Sequence, residues 1–299
     1  MSSTTSVSKL DLLKRRVRRG VAAVRCESRL VSRYVFNRKA VASFRSEPVS
    51  LEPAAADVAR ELVLSGVALS TATDLVDVDS FREVVDYTQT LRTSGAAVPD
   101  ASKPYLTELL GTQPELEPSN PLLKFALNPQ IRGVAETYSS MRLKVQDVNV
   151  WVNSPSGGQA QQSQRWHRDL PEDYDIVKCF VYIQDVPTAA GPLQYIKGSN
   201  TPAGRKMRFE TEFDGVGYRL ADRDVAHTFA PEDLVQASGP AGTVVFADTR
   251  GIHRGGLATE QERVVLQITY ASDACFRPRN LRPAVGIRPE ELPEVRLAS

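Results

Sequence analysis

Three histidines occur in this chain of 299 residues, His167, His227 and His253, and two of them lie where a metal site would need them. His167-Arg168-Asp169 is a His-x-Asp step at the entry to strand-rich sequence. In extended chain, residues i and i+2 project to one face about 6.5–7 Å apart, so an imidazole and a carboxylate can reach one ion. A third ligand must come from elsewhere, and His253 follows the strand-like Gly242-Thr243-Val244-Val245-Phe246-Ala247-Asp248. Two imidazoles and one carboxylate, with positions left open, make the facial ligand set of mononuclear non-haem iron(II), which activates O2. A His-x-Asp step by itself equally serves structural hydrogen bonding. Ten residues after His253, Arg263 opens the run Arg263-Val264-Val265-Leu266-Gln267-Ile268-Thr269-Tyr270. Alternation puts Arg263, Val265, Gln267 and Thr269 on one face of that strand, a mixed polar face suited to a cavity. A guanidinium held inside is costly without an anion, and its fork suits a carboxylate. An internal Asp or Glu is the competing partner.

The elements that must position these groups change character along the chain. Residues 53–64 read as a helix stopped by Gly66, followed by a strand at 67–70. Residues 79–92 and 120–142 read as helices, with Asn120 before Pro121 as an N-cap and first-turn pair. From 143 onward the segments 143–153, 177–186, 191–197, 242–248 and 263–270 are short and rich in Val, Ile, Phe and Tyr, with Pro, Gly, Asn and Asp between them. The expectation is a mainly β fold with flanking helices: a strand-rich half behind a helical N-terminal front. Residues 201–241, with Gly204, Gly215, Gly217, Pro231 and Pro240, form a long insertion of the kind that serves as a lid.

Taken together, Gln164-Arg165-Trp166-His167-Arg168-Asp169, then Gly191-Pro192-Leu193-Gln194-Tyr195-Ile196-Lys197-Gly198-Ser199-Asn200, then Asp248 to Gly256 and the Arg263 strand resemble the phytanoyl-CoA dioxygenase family of Fe(II)/2-oxoglutarate oxygenases. The likeness spans roughly residues 60 to 277. Lys197 and Asn200 depart from it, standing where the family has Pro and His, outside the metal ligands. The resemblance implies a double-stranded β-helix, a jelly-roll, cupin-like barrel, with His167, Asp169 and His253 binding Fe(II). It implies that 2-oxoglutarate chelates the metal and pairs its far carboxylate with Arg263, that Gln164 contacts this cosubstrate, and that Leu193 packs against it. O2 is the third reactant, and hydroxylation of a small-molecule or lipid-like metabolite, with release of succinate and CO2, is the implied default. Desaturation, cyclisation and epoxidation use the same centre, and Asp169 speaks against halogenation, which needs a small residue there.

The rest of the chain bounds the setting. Apolar residues make up 41% and charged residues 24%, ordinary for a globular protein. The formal charge of +1 hides an asymmetry: residues 1–45 hold twelve Lys and Arg against Asp11 and Glu27, so the arm is +10 and the remainder −9. Such an arm suits nucleic acid, an anionic membrane, docking on its own acidic body, or organelle transit. Leu10, Leu13, Val17, Val21 and Val24 recur at helical spacing, which favours docking. The expected domains are the arm, 1–45, and a dioxygenase domain, 46–299. No apolar run is long enough to span a bilayer, and three cysteines outside any Cys-x-x-Cys suit inert intracellular thiols. A cytoplasmic protein acting on a small molecule is expected; nothing in the sequence speaks to oligomeric state. Trp166 and Trp151 read as packing, His227 as a solvated loop residue, and Arg168, Arg250 and Arg254 as pointing away from the metal. The competing function is a non-catalytic barrel that binds a metal or ligand and works through its basic arm; Arg263 and Gln164 beside the three ligands weigh against it.

Overall fold

The computed structural model describes residues 26–95, 98–99, 103–156, 158–170, 172–215 and 217–298. The apolar stripe from Leu10 to Val24 lies outside them. The helices are α1 (Arg38–Ser46), α2 (Pro53–Ser65), α3 (Val78–Thr93), α4 (Pro121–Leu127), α5 (Pro129–Ser139) and α6 (Asp222–Thr228), with shorter turns between. α2 begins on Pro53 and ends at Gly66, whose φ of 81° is the left-handed geometry that glycine adopts without strain. A Cβ there would also lie 2.3 Å from Asn200 Oδ1. The single helix expected over 120–142 is two. Pro129 has no N–H to continue α4 and holds Asn128 extended, so that the Asn128 side chain accepts the Gln130 N–H and starts α5 afresh.

Among the described residues fourteen strands carry the framework: β1 (Val67–Thr71), β2 (Val98–Pro99), β3 (Leu106–Glu108), β4 (Glu115–Leu116), β5 (Lys144–Asn153), β6 (Ile176–Tyr182), β7 (Leu193–Ile196), β8 (Thr211–Phe213), β9 (Tyr218–Leu220), β10 (Leu234–Gln236), β11 (Thr243–Asp248), β12 (His253–Gly255), β13 (Arg263–Ala271) and β14 (Arg282–Pro283). A large antiparallel sheet runs β1-β11-β6-β13-β5-β3-β2, and a small one runs β10-β7-β12. The segment before β5 is therefore not helical throughout, since it gives β1, β2 and β3 to the large sheet. The insertion at 201–241 holds the β8–β9 hairpin, α6 and β10.

Side-chain alternation divides the large sheet into two faces. Val148, Val150 and Val152, with Val177, Cys179 and Val181, and Val264, Leu266 and Ile268, bury against Leu62, Leu122, Phe125, Ile131 and Val134 of the helices. On the opposite face, Val245 and Ala247 pack on Leu193 and Tyr195 of the small sheet. The two sheets thus face one another, and the polar members of their facing sides line the space between. Among the described residues no helix is long and apolar enough to cross a membrane.

Candidate metal centre and its cavity

His167 and His253 meet through a two-way backbone bridge, each N–H donating to the other's carbonyl at 3.0 and 2.9 Å. The same pairing fixes Asp169, whose N–H donates to the Thr249 carbonyl at 2.9 Å. His167 Nδ1 lies 2.9 Å from the Arg165 carbonyl, and His253 Nδ1 lies 3.0 Å from the Gly251 carbonyl. A carbonyl only accepts, so each Nδ1 carries the proton and each Nε2 keeps its lone pair free. Those Nε2 atoms lie 3.8 and 3.9 Å from Asp169 Oδ1, and one ligand atom from each of the three residues falls within 4.8 Å of the others. The arrangement can hold one metal ion, with each imidazole oriented by a backbone acceptor.

The electrostatics suit a cation. Burial pushes the His167 imidazole down to about 3, with His253 adding to the effect, and burial lowers His253 too. Both rings are therefore neutral ligands at neutral pH. Burial opposes ionisation of Asp169, but Lys178 and the two imidazoles outweigh it and hold the carboxylate well below its usual range. Lys178 Nζ sits 2.6 Å from Asp169 Oδ2. Nothing in the motif reading singled out this lysine, although it is the one charged residue in the apolar run from Ile176 to Ile183.

From the ion site an inner cavity of about 110 Å³ extends between the sheets, lined among others by Asn153, Gln164, Tyr182, Leu193, Arg263 and Gln267. Arg263, Val265 and Gln267 all reach it, as alternation along β13 requires. The Arg263 guanidinium donates to the Gly191 carbonyl. Among the described residues it forms no ion pair, and none of their carboxylates is its partner. Its Nε is buried without a partner. Gly255 leaves room for it, since a Cβ at that position would lie 3.0 Å from Arg263 Nη2. Gln164 is 2% exposed; its Oε1 accepts the Gln161 N–H at 3.0 Å, while its Nε2 is buried without a partner. Buried donors normally have acceptors, so this wall is built for a ligand rich in oxygen. Fit to a chelating dicarboxylate is good: the Arg263 guanidinium and the free Gln164 donor at the far end, three candidate ligands at the near end.

A wider basin of about 450 Å³ opens outward from the same His167 and Asp169, with Tyr218 and Arg219 from the hairpin in its wall. Trp151 packs against the cluster of Tyr182, Val186, Ala190 and Val265, and it also lines both cavities with its Nε1 buried without a partner. Trp166 packs too, at 3% exposure, with the Arg254 guanidinium 4.4 Å over its ring. Arg168 donates to the carbonyls of Ser199, Arg250 and Gly204, Arg250 pairs with Asp248, and Arg254 pairs with Asp222; each is engaged away from the ion site. His227 is exposed, on α6 rather than in a loop. Of the two departures from the family turn, Lys197 is exposed, and Asn200 is buried and donates to Tyr138 Oη at 3.1 Å.

The fold has counterparts among solved structures. The epimerase SnoN, solved with Fe3+, alpha ketoglutarate and nogalamycin RO, aligns with a TM-score of 0.52 at 15% identity, over 82% of this chain and 94% of that one. EctD from S. alaskensis, solved with 2-oxoglutarate and 5-hydroxyectoine, aligns at 0.52 and 16% identity, over 84% and 89%. The alpha ketoglutarate dependent carbocyclase SnoK aligns at 0.51 and 16%, over 72% and 82%. At such identities the likeness is one of fold. No curated protein sequence is a significant match. The profile of the phytanoyl-CoA dioxygenase (PhyH) family matches residues 76–265, more than half of the chain and the stretch that holds all three ligand candidates, Gln164 and Arg263. The chain belongs to the phytanoyl-CoA dioxygenase family, and with it to the enzymes that depend on iron and 2-oxoglutarate.

Proposed function

We propose that the protein is a hydroxylase of an unactivated C–H bond in a small-molecule or lipid-like metabolite, using one 2-oxoglutarate and one O2 and releasing succinate and CO2. The observation that carries this reading is the meeting of His167 Nε2, His253 Nε2 and Asp169 Oδ1 beside a cavity whose far wall holds an arginine that forms no ion pair among the described residues. In this reading His167, Asp169 and His253 hold Fe(II), and the facing sheets belong to a double-stranded β-helix. Bound iron(II) supplies activation of O2, coupled to oxidative decarboxylation of 2-oxoglutarate and oxidation of the substrate carbon. Arg263 receives the distal carboxylate of 2-oxoglutarate in its guanidinium fork, and Gln164 donates its free Nε2–H to the same cosubstrate. Leu193, 6% exposed on β7, packs against the methylenes between. The outer basin takes the substrate, with the 201–241 insertion as its wall and lid, and orientation of one C–H toward the metal decides hydroxylation over desaturation or ring closure.

The test is succinate formation from 2-oxoglutarate under Fe(II), with and without candidate substrates, alongside anaerobic metal binding. His167→Ala, Asp169→Ala and His253→Ala should each abolish turnover and weaken metal binding while the protein still melts cooperatively. Full activity in the Asp169→Ala protein would refute the ligand assignment.

A further inference from the structure

β6 carries a charge where its neighbours are apolar. Alternation sends Lys178, Phe180 and Tyr182 to the cavity side, while Val177, Cys179 and Val181 face the helices. The Lys178 side chain is only 12% exposed, and an ammonium in such a place is disfavoured unless an anion meets it. The anion is Asp169, through Oδ2 at 2.6 Å. Its other oxygen, Oδ1, faces His167 Nε2 and His253 Nε2. The two oxygens of one carboxylate are thus divided between a lysine and the focus of the three ligands. Lys178 also lines both the inner cavity and the outer basin, so it stands where cosubstrate and substrate space meet.

We infer that Lys178 is a positioning residue that occupies Asp169 Oδ2 and limits the carboxylate to single-oxygen ligation, which keeps a coordination position open for 2-oxoglutarate and O2. The inference rests on the iron reading above. Without the ammonium, Oδ2 can rotate onto the ion and fill that position. Outer partners of metal ligands commonly change affinity or activity by about 10–100-fold when removed, and here the change should fall on the cosubstrate rather than on the metal.

Cobalt(II) is the probe, because its visible spectrum weakens as coordination number rises. Lys178→Met should bind Co(II), melt like the wild type, show a weaker spectrum characteristic of higher coordination, and bind 2-oxoglutarate about tenfold less tightly. Lys178→Arg, which keeps a donor toward Oδ2, should return the spectrum toward that of the wild type. In Lys178→Ala, ammonium chloride but not sodium chloride should strengthen 2-oxoglutarate binding; whichever of the two truncations melts normally serves for the comparison. An unchanged spectrum with unchanged 2-oxoglutarate affinity overturns the inference and leaves the metal site standing. Loss of Co(II) binding in the Lys178 variants alone also overturns it, since the lysine would then build the site rather than limit it. Failure of the wild type to bind Co(II) removes the metal reading itself.

Discussion

Arg263 brings a positive charge to a cavity wall where it meets the Gly191 carbonyl and, among the described residues, forms no ion pair. Burial pushes its pKa down from the ordinary value, but a guanidinium stays protonated under any ordinary condition, so the charge waits for an anion. Arg263→Leu should raise the 2-oxoglutarate requirement at least tenfold, since truncating one member of a buried charge pair costs about 2–5 kcal/mol. Fe(II) affinity should hardly move; an unchanged requirement, read from succinate formed against 2-oxoglutarate concentration, would place the anion site elsewhere. Asp175 gives a residue-scale prediction of a different kind. Burial raises its pKa to about 6, against the pull of Arg250 3.5 Å away. The folded protein therefore binds this proton more tightly than the unfolded chain, and the associated stability, full below about pH 4, is lost as pH rises through 6. Asp175→Asn should stabilise the protein at pH 7 by on the order of 2 kcal/mol and by little at pH 4. Urea unfolding at the two pH values checks the sign, and an equal gain at both would exclude titration as the cause.

At the scale of elements, the turn from β11 to β12 decides whether the ligands meet. Its carbonyls at Thr249 and Gly251 hold the Asp169 backbone and the His253 ring. The turn is itself pinned by Asp248, which takes two hydrogen bonds from the Arg250 side chain at 2.9 and 2.6 Å and one from Tyr138 of α5 at 2.5 Å. Asp248→Ala leaves a buried guanidinium with the longer ion pair to Asp175 and the face of the Tyr174 ring, a change of the kind that costs about 3–5 kcal/mol. Metal affinity should fall with melting temperature; a variant destabilised yet with wild-type metal affinity would show that the turn does not orient the ligands. The long strands of the large sheet were legible because each is a Val- and Ile-rich run bounded by turn residues. Strands of three residues, such as β12 and the two of the β8–β9 hairpin, were not, since so short a segment carries no period. The three candidate ligand residues, which the structure brings together, could be picked out from spacing and family likeness. Trp151 and Lys178 could not, because which face of β5 or β6 lines the cavity is set by register with β13, about 80 to 130 residues further on.

Across the whole molecule, part of the basic arm is anchored. Arg33, 6% exposed, donates to the carbonyls of Ser139 and Ser140 at 2.7 and 2.9 Å, capping the C-terminus of α5, and Val41 of α1 joins the main core. Deleting residues 1–45 should lower the melting temperature, by roughly 2–4 °C for each kcal/mol lost, while 2-oxoglutarate turnover persists. Deleting only 1–25 should spare most of that stability and isolate any salt-sensitive binding to DNA or anionic lipid; equal melting temperatures for the two truncations would contradict the anchor. The position of β13 has a further consequence, one of timing. It lies between β5 and β6 in the large sheet, yet its residues are made about 80 to 130 positions after theirs, and β1 waits even longer for β11, with Val67 paired to Ala247. During synthesis at about 5–20 residues per second, β5 and β6 wait several seconds with unfilled edges. A chain stopped before Arg263 should therefore not settle into a smaller folded domain but collect in aggregates or on chaperones, and refolding of the full protein should be slow, as non-local pairing demands. Pulse-labelled synthesis of such a truncated chain, followed by protease challenge, would reveal whether the missing central strand is the event that completes the fold.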